Sequence, residues 1–141
     1  MENAGAENAA AREILARFIS FLAAGRPALF RLIGSPVVIR TSIAGPVTAV
    51  LQYDIPLDFG HSFDPSSPVG EKEGDENLPV VQGGLLNGVL DNAMTLALQV
   101  ATGGRFVTTL DMTCQFLRPT RPGIVFAEVT AQQPVAATVG F

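Results

Sequence analysis

Ten consecutive residues, Gln82-Gly83-Gly84-Leu85-Leu86-Asn87-Gly88-Val89-Leu90-Asp91, gather the groups in this chain best suited to acid–base and anion-stabilising chemistry. Two glycines stand at the mouth of an apolar helical run, and a single carboxylate follows eight residues after Gly83. The first N–H groups of a helix have no intrahelical partner and lie at the positive end of its dipole. The amides of Gly83 and Gly84 can therefore hold a carbonyl oxygen that is gaining negative charge. Glycine also lets a carbonyl approach the backbone closely. Asp91 can act as a general base on water or as a nucleophile. At 1.5 Å rise per residue it lies about 12 Å along the axis from Gly83, too far for both to serve one site in one chain. A two-fold axis that sets Asp91 of one subunit opposite Gly83 of another would join them. The other reading of Asp91 is a carboxylate that bonds backbone amides or a facing Asn at a subunit seam. A desolvated carboxylate is costly without a partner, so its position favours a functional or specifically paired group.

Further along, Thr109-Leu110-Asp111-Met112-Thr113 places two hydroxyls and a second carboxylate in an alternating segment, and Asp111 reads as structural. Arg118 and Arg121 flank a proline-rich turn; two guanidinium groups suit phosphates, and solvated turn charges are the alternative. Cys114 falls on the apolar face of its segment and reads as a core residue. His61, the only histidine, sits in an acidic stretch, so a Ser-His-Asp or Cys-His mechanism would depend on that stretch.

The elements that must position these groups follow from periodicity. Ala9 to Ala24 has Ile14, Leu15, Phe18, Ile19 and Leu22 on one helical face, with Gly25 and Pro27 as its stop. A short helical turn over Ala28 to Leu32 ends at Gly34. Val37 to Ile43 and Val47 to Ile55 read as a hairpin across Ala44-Gly45-Pro46. Asp58 to Asn77 carries six acidic residues against the single Lys72 and reads as a solvated loop leading into Gln82. Leu85 to Val100 is the central helix, with Asn87, Asp91, Thr95 and Gln99 recurring every four positions as a polar stripe. Gly88 in its interior suggests a close approach by backbone or ligand. Phe106 to Leu117 alternates as a long, half-buried antiparallel strand, and Ile124 to Ala131 and Val135 to Phe141 follow as strands. The domain reading is an N-terminal helical arm over residues 1–34 and one domain over 35–141, with an acidic loop at 58–78 that is expected to be flexible. Its class is α+β, an antiparallel sheet around one central helix.

At 141 residues the chain holds one core rather than two. It is 48% hydrophobic and 16% charged with mean hydropathy +0.34, which points to apolar surface covered by a partner subunit. A net charge of −4 and a pI near 4.8 argue against nucleic acid or an anionic membrane as partner. One cysteine excludes an intramolecular disulfide and a multi-cysteine metal site. The N-terminus resembles neither a secretory signal nor a transit peptide, and no apolar run approaches the ~18 residues of a membrane span. The expected setting is cytoplasmic.

Taken in order, Gln82-Gly83-Gly84, Asp91, Thr109-Leu110-Asp111-Met112-Thr113, Phe116-Leu117-Arg118-Pro119 and Arg121-Pro122-Gly123 resemble the hotdog-fold acyl-CoA thioesterases of the phenylacetate-thioesterase and acyl-CoA thioesterase 13 type. That family's pattern is His-Gly-Gly, an acid eight residues after the first glycine, a Thr/Ser-x-Asp strand and a Tyr/Phe-Leu-x-Pro turn. The likeness covers about residues 79 to 126. It implies a hotdog fold and a homodimer or dimer of dimers. It also implies hydrolysis of an acyl-CoA to free acid and coenzyme A, with no cofactor beyond the coenzyme A of the substrate and no metal. The resemblance gives Gly83 an oxyanion role, Asp91 of the partner subunit the base or nucleophile, and Thr109 the orientation of water or carboxylate. Gln82, Gly84, Arg118 and Arg121 become substrate-binding residues, the arginines at the nucleotide end. Thr109 as an ordinary polar residue on the sheet's second face remains the other reading.

Two departures bear on activity. Gln82 stands where the family has histidine, and an amide carries no titrating proton. Glu76 stands where the family has an asparagine, with Asn77 one place off. In addition, the 18 residues after Gly123 are fewer than the family's closing strands take up, so shortened C-terminal strands and an edge in need of cover are expected. These departures motivate a second expectation, a non-catalytic acyl-CoA-binding or assembly module. The lack of a second histidine argues against a hydratase on the same fold.

Overall fold

The computed structural model describes residues 2–25, 28–43, 46–61 and 79–132, with side chains from residue 9 onward. The element order is α1 (Glu2–Gly25), α2 (Ala28–Ile33), β1 (Val37–Ser42), β2 (Val47–Ile55), a 3-10 turn (Leu57–Phe59), β3 (Gly60–His61), β4 (Val80–Val81), α3 (Gly83–Ala101) and β5 (Gly123–Ala131). The fold is α+β with antiparallel pairing throughout the described strands. Both expected N-terminal helices form, and the α2 exit closes with a Gly34 N–H to Phe30 carbonyl bond of 3.0 Å.

β2 is the spine of a three-stranded sheet in the order β1-β2-β5. Its alternation decides its faces: Ala49, Leu51, Tyr53 and Ile55 are buried, while Asp54 is exposed. β5 runs antiparallel beside it from Val47↔Ala131 to Ile55↔Gly123 without a break in register. The buried stripe of α3, Val89, Ala93, Leu96, Ala97 and Val100, packs on the inner side of β2 and β5. Ala49, Ala93, Ala97 and Ala127 keep the buried surfaces shallow, which suits close approach of a helix to a sheet. Ala11 and Leu15 of α1 and Ile33 of α2 complete this core. On the outer face, Arg40 and Glu128 form an exposed ion pair at 3.1 Å across Val50, a contact of little energetic weight.

A second, two-stranded ladder pairs Gly60 with Val81 and His61 with Val80. Gly60 is buried where the chain crosses Pro79 and Pro122: a Cβ there would collide with Pro79 Cβ and stand 2.9 Å from Pro122 Cγ. The Val81 N–H donates to the Thr120 carbonyl at 2.8 Å. These contacts tie the entrance of α3 to the turn that precedes β5.

One expected element is absent. Phe106 to Leu117 forms no ladder, and its alternation is lost to exposure: Phe106, Leu110 and Leu117 are 78%, 96% and 86% exposed. β5 pairs with β2 along one edge, and among the described residues this segment does not take up the other edge, so the inter-strand bonds of a ladder are not made. Most of the acidic loop (62–78) and the expected last strand from Val135 lie outside the described residues.

α3 is also less enclosed than its composition suggests, since Asp91 is half-buried and Leu90 exposed. At Gly88 the expected close approach does not occur. A Cβ there would meet only Leu29 Cδ1 at 3.6 Å, an ordinary contact. Gly88→Ala should therefore raise stability by about 0.5–1 kcal/mol through helix propensity, whereas Gly60→Ala should lower it by about 1–3 kcal/mol through overpacking. Thermal melts of the two variants check this; the opposite order of melting temperatures would contradict the packing described.

Candidate functional site

α3 begins at Gly83 with Gln82 as its N-cap, and the Gln82 side chain makes no capping bond. Its backbone carbonyl instead accepts from the amides of Leu85 at 3.0 Å and Leu86 at 3.3 Å. Gly83 and Gly84 occupy the first two helical positions, whose N–H groups point out of the helix with no intrahelical acceptor. Gly84 is exposed, and a Cβ on it would meet nothing within 4 Å. Gly83 is closely covered: a Cβ would stand 3.1 Å from Phe116 Cε2 and 3.2 Å from Cζ. The glycine pair thus has a packing role at Gly83 as well as an open amide at Gly84.

Two turns along the helix, Asp91 receives a hydrogen bond on Oδ1 from the Thr109 hydroxyl. The structure therefore brings Asp91 and Thr109 together even though the segment that carries Thr109 forms no strand. The hydroxyl occupies one carboxylate oxygen and orients the group against the segment that carries Thr109. One helical turn before Asp91, Asn87 Oδ1 is buried and without a donor among the described residues. Such an acceptor calls for water or substrate.

The glycine pair and the Asp91–Thr109 pair do not meet in one chain. The rise of α3 keeps them about 12 Å apart. Arg118 and Arg121 are both exposed and bracket Thr120, whose carbonyl is bound to the Val81 amide next to Gln82. They accordingly belong to the glycine end of the helix rather than to the carboxylate. Asp111 is exposed, His61 lies exposed on β3, and Cys114 is a half-buried free thiol. Among the described residues no group of three or more His, Cys, Asp or Glu side chains converges as metal ligands would.

Residues 78–133 match the family model of the thioesterase superfamily. The match contains Gln82, Gly83, Gly84, Asp91, Thr109, Arg118, Arg121 and all of β5, and omits α1, α2, β1 and β2. It supports a thioester hydrolase in general terms. No curated protein and no solved structure matches the chain.

Two contacts escaped the sequence reading. Phe116 stood inside a motif, but its ring against Gly83 is a tertiary contact with no local signal. The second is the bond from the Tyr53 hydroxyl to Asn92 Oδ1 at 2.8 Å, beside Asp91. Its signal was present, because the only tyrosine of the chain occupies an inward position of an alternating strand and a buried phenol needs an acceptor. Burial pushes the Tyr53 phenol well above its ordinary value, so it stays a donor that fixes Asn92. Tyr53→Phe should cost about 1–2 kcal/mol by leaving the amide oxygen unpaired. Because the folded phenol binds its proton more tightly than the unfolded one, this contribution is intact below the ordinary pKa of 10.0 and declines progressively as pH rises from there toward the raised folded value. Denaturant titrations of both proteins at neutral and alkaline pH test this; equal stability of variant and parent at neutral pH would contradict the pairing.

Proposed function

We propose that this protein is an acyl-CoA thioesterase of the hotdog fold, in which the sheet curves around α3 and two chains form each active site. The reading rests above all on the Asp91–Thr109 pair, one half of a site set two turns from the amides that would form the other half. The match to the thioesterase superfamily supports the same reaction class. In this reading the thioester carbonyl of an acyl-CoA lies at the Gly83 and Gly84 amides of one subunit. Those N–H groups take up the negative charge of the tetrahedral intermediate. Asp91 of the second subunit, oriented by Thr109, removes a proton from water as it attacks, or itself attacks the carbonyl. Asn87 Oδ1 offers the acceptor for the second hydrogen of that water. Arg118 and Arg121, at the glycine end, suit the phosphates of coenzyme A. Gln82 replaces an ionisable group with an amide, which can hold the substrate but not carry a proton.

Exposed apolar residues support the second subunit. Leu110 and Leu117 lie on the segment that carries Thr109, and so large an uncovered surface suits a self-complementary seam in a dimer or dimer of dimers. Among the described residues no helix is long and apolar enough to cross a membrane. A cytoplasmic enzyme acting on coenzyme A esters, with no further cofactor, fits this reading.

The test is free-thiol release from a panel of acyl-CoAs. Turnover of at least one ester is expected, with a loss of roughly a hundredfold or more in kcat for Asp91→Asn and a smaller loss, about tenfold, for Thr109→Val. Full turnover by Asp91→Asn would sink the assignment of the base. The idle Gln82 side chain favours one other reading, a module that binds acyl-CoA without hydrolysing it; saturable binding with no thiol release would decide for it.

A further inference from the structure

At the far end of α3 from the glycine pair, a cavity of about 410 Å³ opens between α1 and the Gly103-Gly104 turn. Ile14, Arg17, Phe18 and Phe21 of α1 form one side, and Gln99, Gly103 and Gly104 the other. Its volume falls in the range of small-ligand sites, ~300–1,000 Å³. Gln99 distinguishes it from an ordinary surface dent. That residue is 0% exposed, yet neither Oε1 nor Nε2 of its amide has a hydrogen-bond partner among the described residues. A buried amide with both ends unpaired gives up its bonds to water with nothing in return, which destabilises the fold unless a ligand supplies partners. The surrounding backbone does not relieve it: the Gly104 amide is used on the Gln99 carbonyl at 2.7 Å, and the Thr102 hydroxyl on the Leu98 carbonyl at 2.9 Å.

We propose that this cavity binds a small carboxylic acid with an apolar body and a hydrogen-bond donor, hydroxyl or amide, next to its carboxylate. Each part of that description answers a group on the wall. Arg17 and Gln99 Nε2 supply two donors for the carboxylate oxygens. Gln99 Oε1 supplies the acceptor for the neighbouring hydroxyl or amide N–H. Ile14, Phe18 and Phe21 supply the apolar wall, with the two rings 6.0 Å apart between centroids. Since Gln99 is closed to solvent, the ligand reaches it by parting the α1 side chains above, and Phe21, 68% exposed, is held by little. The site lies about 12 Å along α3 beyond Asp91 and shares no residue with the thioester site, so it does not depend on the proposed reaction.

The experiment is calorimetric titration of the full chain with 3-phenyllactate, alongside 3-phenylpropanoate, which lacks the hydroxyl, and 3-phenylpropanol, which lacks the carboxylate. Saturable binding of 3-phenyllactate is expected, with each analogue weaker by about tenfold. Arg17→Ala, an exposed change that leaves the core untouched, should weaken it by about tenfold. Gln99→Leu should weaken it similarly while raising the melting temperature, because it removes the unpaired amide. Absence of saturable binding, or equal affinity for all three compounds, overturns the proposal. So does binding that Arg17→Ala leaves unchanged, which also decides the matter if Gln99→Leu does not fold.

Discussion

Burial of one face of α3 against β2 and β5 is the constraint from which the rest of the arrangement follows. Val89, Ala93, Leu96, Ala97 and Val100 leave that helix no freedom to rotate without exposing apolar side chains, so each residue off the buried face has a fixed direction. The polar stripe is then presented to whatever lies opposite. Asp91 finds Thr109, Asn92 finds Tyr53, and Asn87 Oδ1 and the Gln99 amide find no partner within the described residues. The helix also works as a ruler. Its first two amides and its carboxylate are held at a separation no side-chain motion can close, which is why a second chain enters the functional account at all.

The mouth of this helix is secured separately. Gly60 against Pro79 and Pro122, and the Val81 amide on Thr120, join the chain before α3 to the chain before β5. Phe116, just upstream of that turn, lies on Gly83. The amides that would face a substrate are thus placed by a small cluster of prolines, a glycine and an aromatic ring, not by the main core. The Gln82 side chain makes no capping bond and has no share in this fixing.

Periodicity made the main core legible in the sequence. α2, the β1–β2 hairpin, α3 and β5 appear within a few residues of where spacing and glycine or proline stops put them, because each buries its own face and its pattern records that; α1 ends where expected but begins at Glu2 rather than Ala9. Phe106 to Leu117 shows the limit. Its alternation is as clean as that of β2, but alternation specifies two faces and not a neighbour, and a ladder needs a neighbour. The site divides the same way. Gly83 at a helix mouth and Asp91 eight residues on follow from local spacing, and the pairing of Asp91 with Thr109 was reached through a resemblance. Phe116 on Gly83 depends on two segments far apart in sequence, and the burial of Gln99 beneath α1 depends on how an N-terminal helix docks; no local pattern encodes either.

The central claim is that each thioester site takes its amides from one chain and its carboxylate from another. Complementation tests it most directly. Gly83→Pro removes an amide N–H at the first helical position, where proline is tolerated and only the tip of the flexible Phe116 ring must yield. Asp91→Asn removes the carboxylate. Each variant alone should release little thiol from the best acyl-CoA substrate. After unfolding and refolding together in equal amounts, mixed dimers carry one intact and one doubly defective site, and thiol release should return to about a quarter of the parent rate. A mixture as inactive as its two components, with mixed dimers demonstrably present, would contradict the account.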